Sequence, residues 1–216
     1  MKQFNSDEEL LCFAREFIGR HVERFEKDIA ICLMGKNWKN DHKVTHAYFP
    51  ALMACIGFMD FFSGLYSGNL DYPKLKDLKS YAHSFLPSIY SDLLLAILYH
   101  CFRHKVAHLA HPYEVLDTKN NKDFAGEPNR RITWSVSEVR LRKVMWLESL
   151  EEPELLETAP ESRGIRYDHR IHVSIPMLAE DAIYSVRGDN GYLQQLKANQ
   201  DCRRNFQACM NQYFSA

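Results

Sequence analysis

An apolar helical segment near the start of the chain constrains the fold more than any other feature. Residues 45–66 form a helical pattern that is apolar on most of its sides. A helix of this kind must be covered by other elements, because it is stable in water only when its apolar surface is buried. We therefore predict that this segment lies at the centre of a helical core. Its large apolar residues are Leu52, Met53, Ile56, Phe58, Met59, Phe61, Phe62 and Leu65.

Three further helices are predicted in the first half of the chain. The first spans residues 6–34 and opens with a serine followed by three acids, which is typical of a helix N-terminus. The next begins at Pro73, a residue suited to a first helical turn, and a last one runs from Ser91 to a point before Pro112. Because the connections are short, the four helices are expected to pack as an antiparallel bundle.

The second half of the chain has a different pattern. Residues 131–137 and 165–175 alternate between apolar and polar side chains, which predicts β-strands with one buried face. Helical patterns follow at 176–186 and 192–213, and the acid-rich residues 148–161 read as an exposed loop or short helix. The predicted fold is mainly α: a bundle of about four helices, a small antiparallel sheet and two C-terminal helices. We place the boundary between bundle (1–112) and α+β extension (113–216) after residue 112.

Composition limits the classes of function. The formal net charge is −1, so no general basic field attracts nucleic acid, and an RNA partner would need a local patch. The first residues carry acids and lack the apolar core of a secretory signal, and the longest strongly apolar stretches fall short of a membrane span. Six cysteines lie mostly among apolar residues, without a C-x-x-C pair. We expect free, buried thiols, a cytoplasmic location and no membrane association.

A short motif follows the fourth apolar segment: Arg103-His104-Lys105-Val106-Ala107-His108. An arginine can hold a phosphate with two parallel hydrogen bonds, and a histidine can exchange a proton near neutral pH. On an ideal helix, however, Arg103 and His108 are about 140° apart around the axis. Either the helix ends or bends between them, or a second protomer completes the site. The simpler interpretation is a basic helix C-terminus that complements the helix dipole.

The motif resembles the signature of the HEPN superfamily (higher eukaryotes and prokaryotes nucleotide-binding). Those helical bundles carry an R-x4–6-H motif, commonly with Asn, Asp or His directly after the arginine, as His104 is here. The upstream context is also similar, with a Cys-Ile-Gly-Phe-Met-Asp-Phe-Phe-Ser-Gly-Leu-Tyr-Ser-Gly helix at 55–68. Phe85-Leu86-Pro87 and Tyr90 follow it. The resemblance covers about residues 6–112. The chain is also similar to helical HEPN-like bacterial proteins, many of which have no assigned role.

The resemblance implies metal-independent RNA cleavage without a cofactor. The 2′-hydroxyl of RNA would attack the neighbouring phosphate and leave a 2′,3′-cyclic phosphate. Arg103 and His108 would be the catalytic residues, with His104 supporting them. The family also implies a homodimer, and a role in toxin–antitoxin or phage-defence systems with an antitoxin or regulatory partner. Other members are inactive, which leaves open a non-catalytic RNA-binding or protein-interaction module, or a nucleotide-sensing domain.

Five residues outside the catalytic motif positions are further candidates for binding RNA. Lys105, His100 and His111 flank these positions, and Arg166 and Arg170 lie on the polar side of the clearest strand; all five are candidate RNA contacts. A solvated strand face with cross-strand ion pairs is the simpler explanation for the two arginines. A histidine stripe at positions 100, 104 and 108 has metal-ligand spacing but no carboxylate, so no metal site is predicted.

Overall fold

The structure is a computed structural model that describes residues 4–33, 48–71, 73–103, 114–156 and 164–214. The chain is mainly helical and carries a small four-stranded sheet. Its contacts divide it into two compact units, residues 1–90 with 179–216 and residues 91–178. The boundary predicted after residue 112 is a different partition of the chain, and it stays a prediction.

The first unit is built on the predicted central helix. Helix α1 spans Asp7–Leu33, α2 spans Tyr48–Ser67 and α3 spans Leu75–Phe85. On α1 the buried residues recur every three or four positions, which places them on one stripe against the core. Helix α2 is buried on most sides, as expected from its composition. The core of this unit includes the fully buried Ile18, Val22, Phe62, Leu65 and Phe206.

Helix α2 is also long and apolar enough to cross a membrane by length and composition. Within the described part of the chain it is the one helix that passes this test, and 56% of its most apolar window is buried. The sequence analysis treated only shorter apolar stretches as strongly apolar. Because burial in a protein core gives the same composition, the helix is weak evidence for a membrane span.

The C-terminal helices differ from the prediction. Helix α5 spans Ile175–Arg187, and the division between the two units falls within it, after Leu178. The single helix predicted at 192–213 is two helices, α6 (Tyr192–Ala198) and α7 (Gln200–Tyr213). The prediction of two C-terminal helices was therefore wrong, because Asn199 interrupts the second. Its side chain accepts hydrogen bonds from the backbone N–H groups of Asp201 and Cys202, which starts a new helix at that point.

The second unit contains the helix that leads to the motif. Helix α4 spans Asp92–Leu98, and the side chain of Ser91 caps it by accepting from the N–H of Leu94. A π-helical turn continues the chain over Tyr99–Arg103. This helix groups with the sheet and not with α1–α3, so the predicted bundle of four successive helices is not one unit. The remainder of the predicted helix lies outside the described residues.

The sheet of the second unit is mixed, so the prediction of an antiparallel sheet was wrong. The strands are β1 (Leu116–Asp117), β2 (Arg131–Ser137), β3 (Met145–Leu155) and β4 (Arg166–Ser174), in the order β1-β2-β4-β3. Strand β4 pairs in parallel with β2 and antiparallel with β3. Its alternating residues Ile171 and Val173 are fully buried, which favours the central position between two strands.

Strand β3 includes part of the acid-rich segment that the sequence analysis predicted as a loop or short helix. Among the described strands it pairs only with β4, so it lies at the edge of the described sheet and its acids can remain in water. The pairing shifts register between Ser149 and Glu154. Pro153 lies in this irregular stretch, and its lack of a backbone N–H is compatible with the interruption.

Candidate functional site

The described part of the motif is its arginine. Arg103 is the last residue of the π-helical turn and is partly buried. Its Nη1 donates a hydrogen bond to the hydroxyl oxygen of Tyr99 at 2.9 Å, and its guanidinium carbon lies 4.7 Å from the centre of the Tyr99 ring. The two residues are four apart and meet on one side of the helix. Tyr99 is therefore one of the side chains that orient the guanidinium, from one turn earlier.

His100 is held by a residue that is distant in sequence. Its Nε2 lies 2.9 Å from Oδ2 of Asp123, which follows in a 3-10 turn at Lys122–Phe124. That turn begins at Asn121, whose side chain accepts from the N–H of Asp123. The His100 ring also contacts Phe124, with ring centres 5.6 Å apart. His100 is thus positioned by the loop before β2, and one of its ring nitrogens is already occupied.

The neighbouring residue Phe102 anchors the π-helical turn to the sheet. It is fully buried, and its ring centre lies 6.2 Å from that of Trp134 on β2. Cys101 is also fully buried, and burial in apolar surroundings raises the pKa of its thiol well above the ordinary value. The turn therefore places two buried residues, Cys101 and Phe102, between the two polar residues His100 and Arg103. π-helical turns of this kind occur frequently at functional sites.

Four predicted site residues lie beyond this turn. His104, Lys105, His108 and His111 are outside the described residues, so their predicted roles stay predictions. Among the described residues no cluster of histidine, cysteine, aspartate and glutamate is suited to a metal ion. The described geometry of the candidate site is therefore that of Arg103 with Tyr99 and of His100 with Asp123.

The arginines predicted on β4 are engaged with neighbouring strand residues. Arg170 Nη2 donates to Glu154 Oε2 at 2.9 Å and to the Tyr167 hydroxyl at 2.8 Å. Arg166 Nη1 donates to the backbone oxygen of Pro153. These contacts correspond to the simpler interpretation of a strand face with cross-strand pairs. Each guanidinium thus already donates at least one hydrogen bond within the sheet, and its predicted contact with RNA stays a prediction.

A second polar cluster on the same face was missed by the sequence analysis. His172 Nε2 lies 2.8 Å from Glu148 Oε2, and the His172 ring stacks on Trp146 with centres 4.4 Å apart and planes 9° apart. The guanidinium of Arg142 covers Trp146 at 4.8 Å from its centre. The hydrogen bond from His172 lowers the pKa of Glu148, outweighing the small effect of burial. Trp146 therefore contacts both an imidazole and a guanidinium on this part of the sheet.

Asp168 is held in the same way at the other end of β4. Burial acts to raise its pKa, but hydrogen bonds from His169 and from the backbone N–H of Arg131 outweigh this and lower it. Asp168 lies between Arg166 and Arg170 on the polar side of β4, an arrangement suited to cross-strand pairing. The structure joins it to His169, its neighbour along the chain, and to the backbone N–H of Arg131 at the start of β2. The contact between Asp168 and Arg131 depends on how β4 lies against β2, and the sequence did not reveal that register.

Comparison with known proteins adds no assignment: the chain matches no protein-family profile, no curated protein and no solved structure.

Proposed function

We propose that this protein is a metal-independent endoribonuclease of the HEPN type. The observation that supports the proposal is the placement of Arg103, whose guanidinium is oriented by Tyr99 at the end of a π-helical turn. An oriented guanidinium is suited to a phosphate, because its donors match two phosphate oxygens and its charge persists at all relevant pH values. The resemblance in the motif supplies the class of reaction.

In the proposed reaction the 2′-oxygen of RNA forms a bond to phosphorus and the bond to the 5′-oxygen breaks. His108 takes the proton from the 2′-hydroxyl and returns a proton to the leaving 5′-oxygen. Arg103 binds the phosphate as negative charge develops on it, and His104 orients Arg103 or the substrate. The products are a 2′,3′-cyclic phosphate and a 5′-hydroxyl, so the balance requires no cofactor.

A homodimer is part of this proposal. Five residues of ideal α-helix would separate Arg103 and His108 by about 140°, too far for one phosphate. The π-helical hydrogen-bond pattern at Tyr99–Arg103 departs from that ideal rotation where the chain enters the motif at Arg103. A pair of motifs at a twofold axis would bring an arginine of one protomer near a histidine of the other. A cytoplasmic toxin or phage-defence role, with an antitoxin or regulatory partner, extends the same resemblance.

The test is cleavage of total tRNA by the purified protein in EDTA, with mapping of the cut ends. Wild-type protein should produce cyclic-phosphate ends, and His108→Ala should abolish them. His83→Ala is the matched control, because it removes an exposed histidine on α3 outside the motif. Equal cleavage by wild type and His108→Ala would contradict the proposal, since the activity would then belong to another site or a contaminant.

The alternative is a non-catalytic module that binds RNA or a protein partner. It is favoured by the internal pairing of charges on the exposed sheet face, where Arg170, Glu148 and His172 satisfy one another. Within this alternative the paired charges favour a protein partner over an RNA, because they leave little unbalanced charge to attract phosphates. Absence of cleavage across several RNA classes, for wild type and variants alike, would favour this module over the enzyme.

A further inference from the structure

A cleft in the first unit lies between α1 and α6, separate from the motif. It encloses about 490 Å³, a volume in the usual range for small-molecule sites. Its apolar lining comes from four residues, Leu11 and Ala14 on α1 and Leu193 and Leu196 on α6. Ala14 and Leu196 are buried, whereas Leu11 and Leu193 are half-buried and leave apolar surface open to the cleft. All four side chains are aliphatic, so they suit a ligand with a hydrocarbon chain more than one with an aromatic ring.

The polar lining of the cleft is mainly cationic. Arg15, Lys197 and Arg187 lie at its edge, and Glu8 is the one acid that lines it. Within the described ranges, Arg15 and Lys197 form no ion pair; the contact of Lys197 is a hydrogen bond to Gln194 at 3.1 Å. Two exposed cations without an ion pair among the described residues therefore line an aliphatic cleft that also includes the carboxylate of Glu8.

Arg187 has a different environment. Its Nη1 lies 3.3 Å from the carboxylate of Glu26, and Nη2 donates to the backbone oxygen of Gly19 at 3.5 Å. These long contacts hold the guanidinium beside α1 while neutralising part of its charge. The net field at the cleft thus comes mainly from Arg15 and Lys197, opposed by Glu8. A ligand that balances this field carries negative charge at one end.

We propose that this cleft binds an aliphatic organic anion, a hydrocarbon chain that ends in a carboxylate or a phosphate. The chain lies on the leucines and the alanine, where its burial removes apolar surface from water on both sides. The anionic end lies between Arg15 and Lys197, which donate charge-assisted hydrogen bonds to its oxygens. The proposal is independent of the ribonuclease motif, which belongs to the other unit.

Cys12 provides a local measurement of occupancy. Its side chain is exposed and lines the cleft, whereas Cys32, further along α1, is half-exposed and does not line it. Decanoate at submillimolar concentration should slow alkylation of Cys12 by N-ethylmaleimide in a saturable manner, measured by peptide mass. Alkylation of Cys32 should keep its rate. Decyl phosphate distinguishes a phosphate end from a carboxylate end, and decanol supplies the same chain without charge.

Variants test the role of the charges. Arg15→Gln combined with Lys197→Gln should weaken decanoate binding by about tenfold or more, since each lost charge-assisted hydrogen bond is worth about that factor. Glu8→Gln should strengthen binding, because it removes the opposing charge. Arg20→Gln is the control: Arg20 is an exposed arginine of α1 paired with Glu16, outside the cleft, and its loss should leave binding unchanged.

Four results would overturn the proposal. The first is no saturable protection of Cys12 by decanoate or decyl phosphate. The second is protection by decanol equal to that by the two anions, which would indicate a merely apolar surface. The third is an equal slowing at Cys12 and Cys32, which would indicate a general effect of the amphiphile on the protein. Unchanged affinity in the double variant would likewise exclude the assigned role of the cations.

Discussion

Tyr90 donates a hydrogen bond to Oδ2 of Asp181 at 2.8 Å, although its side chain is only 1% exposed. The carboxylate beside it and the desolvation of the ring raise the pKa of the Tyr90 hydroxyl far above its ordinary value, with burial as the larger cause. The phenol is therefore a permanent donor. A second buried pair, Tyr81 with Ser185, joins two neutral hydroxyls at the same distance of 2.8 Å. The two pairs allow one comparison of charged and neutral acceptors.

Tyr90→Phe should cost more stability than Tyr81→Phe. A hydrogen bond to a carboxylate is worth about 1.5–3 kcal/mol, and one between neutral groups about 0.5–1.5 kcal/mol. Each substitution keeps the ring and removes only the hydroxyl. The free energy of unfolding in urea measures the difference, with Tyr184→Phe as a control at a ring that is 60% exposed. A larger loss of unfolding free energy for Tyr81→Phe than for Tyr90→Phe would show that the charge of Asp181 does not strengthen its hydrogen bond with Tyr90.

Tyr99→Phe should slow RNA cleavage while leaving the fold intact. The substitution keeps the ring beneath Arg103 and removes the oxygen that accepts from Nη1. Loss of one hydrogen bond of this kind corresponds to about a threefold to tenfold decrease in rate, if orientation of Arg103 limits the reaction. Initial rates on the best tRNA substrate measure the effect, beside circular dichroism. Wild-type rates in Tyr99→Phe would remove Tyr99 from the proposed site.

The ion pair of Glu148 with His172 should give stability that depends on pH. The pKa of Glu148 is lower in the folded chain than its ordinary value of 4.5, because His172 hydrogen-bonds its charged form. The stabilisation is therefore present above about pH 4.5 and is lost as the pH falls through the lower, folded pKa.

Glu148→Gln should accordingly be less stable than wild type near pH 6 and equal to it in strong acid. The difference should stay below about 1 kcal/mol, because the Glu148 side chain is 43% exposed and solvent weakens the pair. Urea titrations at several pH values measure it. Glu151→Gln, at another exposed acid of β3, is the control. A difference that persisted in strong acid would point to lost packing in place of the ion pair.

The six cysteines should react with thiol reagents in an order set by burial. Cys12 is exposed and Cys32 half-exposed, whereas Cys55, Cys101, Cys202 and Cys209 are buried. Burial also raises the pKa of the Cys209 thiol to about 12, so little reactive thiolate is present at neutral pH. N-ethylmaleimide should modify Cys12 first and Cys32 second, and the other four only after denaturation. Early modification of Cys209 would indicate that α7 opens from its unit under native conditions.

The local pattern of the sequence predicted most of the elements. The N-terminal serine and acids marked the start of α1, and its apolar spacing matches the buried stripe of Leu10, Ala14, Val22 and Phe25. The alternation of residues 165–175 predicted β4 to within one residue at each end. Both patterns are local, because each follows from the rotation of side chains along a single element. The expected free thiols are also mostly buried, as four of the six show.

The same local pattern could not predict which elements pair. Parallel pairing of Trp134 with Ile171, and antiparallel pairing of Leu147 with Ile171, place β4 between β2 and β3. Alternation is identical in parallel and antiparallel strands, so the sequence did not distinguish a mixed sheet from an antiparallel one. The helix break at Asn199 was missed for a related reason, since the apolar spacing continues on both sides of the capping residue.

The sequence by itself determined most of the helices, the alternating strand and the identity of the motif residues, because these depend on residue type and spacing along the chain. Tertiary structure alone decided that Asp123 holds His100, that Glu148 and Trp146 enclose His172, and that a cationic cleft lies between α1 and α6. These contacts join residues from 23 to 26 positions apart in the first two cases, and far more in the third. Burial of apolar surface brings residues that are this distant in sequence into contact. It fixes the register of the strands and the packing of the helices, and the polar side chains are thereby placed beside their partners.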